Sequence, residues 1–171
     1  MPFLSDAELG RSIREGQIAS VYFLYGKEKF LSEGYFKKLI DKAVPKGTES
    51  FNLQQFDGAA LDMVSVRVEA EAIPLMAERK CVVLKNPNIE KLGKADFDAL
   101  MEMVEDPNPT TVFIIFVNAY DLNPKKSAKV RKLGEAAAKS GVTVEFSPKT
   151  GGELVKIIKQ RVSKSGCTIE T

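Results

Sequence analysis

Hydrophobic positions along this chain follow two rhythms. Five short runs rich in β-branched and aromatic residues predict strands at 21–25, 51–56, 81–84, 112–117 and 142–146. The first, Val21-Tyr22-Phe23-Leu24-Tyr25, and the fourth, Val112-Phe113-Ile114-Ile115-Phe116-Val117, are almost wholly apolar. Unbroken hydrophobicity predicts strands covered on both faces, as in the interior of a parallel sheet.

Between these runs the apolar residues recur at a helical period. Residues 28–43 carry Phe30, Leu31, Tyr35, Leu39 and Ile40, and Pro45 and Gly47 end the segment. A second helix is expected over 61–73, after the turn Asp57-Gly58 and closed by Pro74. A third, 95–104, aligns Phe97, Leu100, Met101 and Val104, and a fourth, 127–139, lies between Asn123-Pro124 and Gly141. Alternation of strand and helix predicts an α/β fold: a five-stranded parallel sheet, right-handed crossovers, and helices on both faces.

After Phe146 the pattern changes. Ser147-Pro148-Lys149-Thr150-Gly151-Gly152 reads as a linker, and 153–164 as an amphipathic helix with Leu154, Ile157, Ile158 and Val162 on one side. Nothing follows for that helix to pair with, so the expected division is an α/β domain at 1–147 and the start of a truncated helical domain at 148–171.

Composition narrows the function. With 44% hydrophobic and 28% charged residues in 171, the chain can bury a core. Lys and Arg number 25 against 23 acids, a net charge of +2. A dedicated nucleic-acid binder draws its affinity from a basic excess, so DNA is not expected as the main partner. Cys81, inside Cys81-Val82-Val83-Leu84, reads as a small core residue and not as half of a disulfide. The opening residues do not form a signal peptide and no apolar run reaches 18 residues, which predicts a cytoplasmic protein without membrane contact. Histidine is absent from the whole sequence. That excludes Ser-His-Asp triads, Cys-His pairs and His-ligated metals within the chain. Two cysteines are too few for a structural zinc cluster, and no compact group of carboxylates demands Mg²⁺; neither cofactor nor metal is expected.

One segment occupies the place where α/β proteins hold phosphate, the turn from first strand to first helix: Tyr25-Gly26-Lys27-Glu28-Lys29-Phe30. A phosphate loop of the form G-x-x-x-x-G-K-[ST] needs two glycines, a lysine and a hydroxyl. Here a single Gly is present and Glu28 follows Lys27. The turn is short for a triphosphate, and the acid adds repulsion. Gly26 serving only a tight turn is the plainer reading, and an atypical loop in a small NTPase or phosphotransferase is the alternative. The run 112–117 ends in Asn118-Ala119-Tyr120-Asp121, where Asp121 reads as a turn residue and not as a magnesium ligand.

Several runs together resemble the delta subunit of the bacterial DNA polymerase III clamp loader. They are 22–31, Phe51-Asn52-Leu53 with Phe56-Asp57-Gly58, 75–86, Val144-Glu145-Phe146, Gly152-Glu153-Leu154 and Ser165-Gly166-Cys167. The resemblance extends from about residue 21 to 169 and covers only the front part of the family's proteins. It implies an AAA+-like core of the P-loop NTPase type that has lost nucleotide binding, in keeping with the defective loop. It also implies a non-catalytic role within the polymerase holoenzyme: binding and opening the β sliding clamp, alongside gamma/tau and delta-prime subunits, with DNA contact indirect or weak.

Family members bind the clamp through an apolar element before the third strand, which falls here on Ile73, Pro74, Leu75 and Met76. The residues support a contact independently. Leu75 and Met76 are adjacent, follow the helix-stopping Pro74 and precede Glu78-Arg79-Lys80, and neighbours in one regular element cannot both face one core. An exposed apolar pair can anchor in a partner's pocket. Closure of the bottom of the core by Ile73 and Leu75 is the competing reading. Many members have Gln where Glu71 stands and an aromatic where Met76 stands; Met can fill such a pocket with less anchoring area. The basic run 125–132 reads as a solvated helix face, with a DNA path as its alternative. A regulatory binding domain unrelated to replication is the remaining class.

Overall fold

The computed structural model describes residues 3–164. Five strands, β1 (Val21–Gly26), β2 (Leu53–Asp57), β3 (Lys80–Lys85), β4 (Thr111–Val117) and β5 (Val142–Phe146), form one sheet in the order β2-β3-β4-β1-β5. Every neighbouring pair is parallel, with Val21 opposite Phe113, Leu53 opposite Cys81, Lys80 opposite Thr111 and Gly26 opposite Phe146. The two most apolar runs are inner strands, and every residue of β4 is buried. Polar Gln54 and Gln55 mark β2 as an edge.

Side chains alternate across the sheet and build two cores. On one face Phe23, Val82, Leu84, Phe113 and Ile115 pack against α4 (Met63–Glu71), α5 (Lys94–Glu105) and α6 (Ala128–Ser140). On the other, Tyr22, Leu24, Val83, Ile114 and Phe116 meet α1 (Asp6–Arg14) and α2 (Lys29–Ala43). Cys81 lies in this second core, fully buried.

Three local expectations need correction. α1 is an addition to the expected helices. It starts with a capping box in which Ser5 and Glu8 satisfy each other's backbone N–H, and it buries Leu9 and Ile13. The segment 51–56 is not one strand: Phe51 and Asn52 close the short helix α3 (Glu49–Asn52), and pairing begins at Leu53. The helix expected over 61–73 is shorter. Asp62 caps it by accepting from Val64 N, and it stops at Glu71 because Ala72 is already extended, ahead of the Ile73-Pro74 pair.

The last helix, α7 (Gly151–Lys164), starts at the expected linker. Lys149 Nζ lies 3.0 Å from Asp6 Oδ2, and Ile157 packs against the second core, while Leu154 and Ile158 are exposed. Residues 165–171, with the Ser165-Gly166-Cys167 run and the end of the expected second domain, fall outside the described residues.

Candidate functional site

In an open parallel sheet ligands bind beyond the carboxyl ends of the strands, where the strand order reverses. Here that place lies between β1 and β4, at Gly26–Lys29 and Asn118–Asp121. Only Lys27 and Glu28 separate β1 from α2. Gly26 has φ +135°, and an ideal Cβ on it would lie 2.4 Å from the Phe146 carbonyl oxygen, so glycine is required by the backbone of β5.

Three donors at this turn are engaged by the protein itself. Glu28 N donates to Phe146 O at 3.1 Å, and Lys29 N to Lys27 O at 2.9 Å. Lys27 Nζ pairs with Asp121 Oδ2 at 2.9 Å, and Asp121 lies in the irregular stretch that precedes the turn at 124–126. The facing loops are closed likewise. Asn86, at φ +53°, accepts from Asn118 N (2.9 Å) and Ala119 N (3.1 Å), and Asn118 Nδ2 donates to Glu33 Oε1 at 2.9 Å. Among the described residues no group of three or more acids or cysteines is placed to hold a metal ion.

The apolar element sits at the opposite end of the sheet, between α4 and β3. Ile73 is 82% exposed, Leu75 53% and Met76 89%, while Pro74 is partly buried. Ile73 and Leu75 therefore do not close the bottom of the core. Met76 has φ +55°, a left-handed conformation that costs a residue with a side chain about 1–3 kcal/mol and persists only where the surroundings impose it.

Several tethers surround the turn. Thr111 Oγ1 donates to Ala70 O at 2.8 Å and Asn108 Nδ2 to Glu71 O at 3.3 Å, satisfying carbonyls at the end of α4. Arg67 bridges Glu71 and Glu102, each at 2.9 Å. The nearly buried Lys80 reaches Glu69 at 2.9 Å, joining α4 to the start of β3. The turn itself is held by Asn52. Its Nδ2 donates to Leu75 O at 2.7 Å and its Oδ1 accepts from Leu75 N at 2.8 Å, with the asparagine side chain fully buried. No local pattern marks Asn52, Glu69 or Lys80 as site residues, because their partners are 11 to 23 positions away.

The basic run does not converge on a groove. Lys129 Nζ is engaged by Leu92 O at 2.6 Å and Glu90 O at 3.3 Å, and Arg131 and Lys132 share the outer side of α6 with Glu135.

The family model described as DNA polymerase III, delta subunit, matches residues 22–146. The DNA polymerase III subunit delta of Bacillus subtilis is 30% identical over 144 residues, which is 81% of this chain and 40% of that protein. The solved Bacillus subtilis DNA clamp loader delta protein superposes with a TM-score of 0.77 at 26% identity, over 96% of this chain and 49% of that one. A DNA polymerase III gamma subunit-related protein from Thermotoga maritima shares the fold at a TM-score of 0.51 and 12% identity, over 92% of this chain and 51% of that one. The chain thus spans less than half the length of the two Bacillus relatives.

Proposed function

The chain belongs to the family of DNA polymerase III delta subunits, and from that premise we propose that it binds the β sliding clamp through Ile73, Pro74, Leu75 and Met76 and opens the ring. One observation carries the reading. Three large apolar side chains project from a turn held at Leu75 by Asn52 of α3 and flanked by the ends of α4 and β3, which Lys80 and Glu69 tie together. Apolar anchors already held in place lose little freedom on docking, so more of their burial appears as affinity. In this proposal the chain contributes no catalysis. The place where a nucleotide would bind is crossed by the protein's own Lys27–Asp121 pair and Glu28–Phe146 hydrogen bond.

The same premise extends to the rest of the assembly. Gamma/tau and delta-prime subunits are the proposed partners of the α/β core, contact with DNA is indirect, and the cytoplasm is the site of action. Residues 148–171 are proposed to begin a second, helical domain.

Surface plasmon resonance against the cognate clamp tests the site. Leu75→Ala combined with Met76→Ala should weaken binding by tenfold or more, since each truncation of a docked apolar anchor costs about 1–2 kcal/mol or more. Far-UV circular dichroism and the unfolding midpoint should stay the same, because both side chains are exposed. Unchanged affinity in the double variant would remove this turn from the interface.

A further inference from the structure

We propose that Asn52 is a positioning residue for the docking turn: its buried amide fixes the Leu75 backbone and so sets the direction in which Leu75 and Met76 point. The inference rests on the reading of that turn as the clamp contact.

The chemistry is specific to the side chain. A carboxamide carries a donor and an acceptor in one plane, so a single group can satisfy both the N–H and the C=O of one residue. Asn52 does this at Leu75, with bonds of 2.7 and 2.8 Å, across 23 residues of sequence. Its own position is rigid, because Leu53 next to it opens β2 and pairs with Cys81 of β3. Exposed turns ordinarily sample many conformations. This one is locked at its middle residue, and the next residue, Met76, keeps a left-handed backbone with its side chain almost wholly in solvent. Without the lock nothing else among the described hydrogen bonds holds Leu75 or Met76 in place, and the apolar side chains are free to fold back onto the surface.

Amide hydrogen exchange and clamp affinity, measured on Asn52→Ala, test the assignment. The Leu75 amide is expected to be protected in the parent chain although its side chain is exposed. In the variant it should exchange at least about tenfold faster, while Val83 and Ile114 in the sheet keep their protection. Clamp affinity should fall about five- to thirtyfold, in proportion to the smaller fraction of molecules with a competent turn. Asn52→Asp keeps the volume and the acceptor for Leu75 N–H but sets a carboxylate oxygen against Leu75 C=O; it should act in the same direction and serves if the alanine variant does not fold. Unchanged exchange at Leu75 overturns the proposal. So does faster exchange with unchanged affinity, provided that Leu75→Ala/Met76→Ala still weakens the clamp. Faster exchange with neither variant affecting affinity upholds the lock and instead overturns the reading of the turn as the clamp contact.

Discussion

Replacing Gly26 by alanine asks whether the turn after β1 is dictated by the protein packing against itself. An ideal Cβ at Gly26 would lie 2.4 Å from Phe146 O, 2.6 Å from Phe146 N and 2.8 Å from the Phe146 carbonyl carbon. These are backbone atoms of a paired strand, so no change of rotamer relieves the contact. Either β5 retreats and loses the hydrogen bond from Glu28 N, or the turn rotates and withdraws Lys27 from Asp121. Holding a residue with a side chain at φ +135° costs about 1–3 kcal/mol, and one lost backbone hydrogen bond about 1 kcal/mol more. The expected destabilisation is therefore about 2–4 kcal/mol, a large part of the ~5–15 kcal/mol that holds a domain folded. Gly16 supplies the control. It also has a positive φ, +74°, but nothing lies within 4 Å of a Cβ added there, so Gly16→Ala should cost only about 1 kcal/mol. Urea unfolding of both variants, followed by circular dichroism, makes the comparison. Equal losses would show that the β5 backbone does not dictate glycine at this turn.

Two further outcomes follow from buried groups. Glu69→Gln leaves the charge of Lys80, whose side chain is 3% exposed, without its counter-ion, and should lower stability by about 1–3 kcal/mol in urea unfolding. Adding Lys80→Met should recover part of that loss, and a double variant less stable than the single one would contradict the argument. Burial pushes the Cys81 thiol from 9.0 up to about 12. Above pH 9 the unfolded chain therefore releases a proton that the folded chain retains. The Cys81 contribution is complete below pH 9 and declines by about 1.4 kcal/mol per pH unit towards pH 12. Burial also raises the Tyr120 phenol, to about 12, which adds to the alkaline loss in the same sense. Cys81→Ala should flatten the fall in unfolding free energy above pH 9, and identical slopes in the two proteins would count against the buried thiol as a cause.

The sheet was readable because its signals are local and redundant. Val21 to Tyr25 and Val112 to Val117 are apolar at every position, and such runs have no alternative to an inner strand once helices flank them. α1 had a local signal too, the Ser5-x-x-Glu8 box, but only Leu9 and Ile13 supply its apolar face and the polar residues around them hide the period. The boundary at residues 51–53 had none. Phe51-Asn52-Leu53 has the composition of a strand, and what makes Asn52 helical and buried is a hydrogen-bonding partner in another segment.

The same contrast separates the two halves of the functional argument. Departure from the phosphate-loop pattern is visible in the residues, since the turn has a single glycine and Glu28 follows Lys27. Presentation of the proposed docking turn is only half visible. Adjacent Leu75 and Met76 after a proline announce exposure, because one core cannot receive both. The hold on the Leu75 backbone comes from Asn52, and the flanking ends of α4 and β3 are tied by Thr111, Asn108 and the Lys80–Glu69 pair; these groups meet only when β2, β3 and β4 pair. Apolar side chains left exposed gain nothing from burial on folding, so the backbone beneath them is held by other groups. Here the carboxyl end of the sheet carries the Lys27–Asp121 pair and the Glu28–Phe146 hydrogen bond, and the hold on Leu75 lies at the other end.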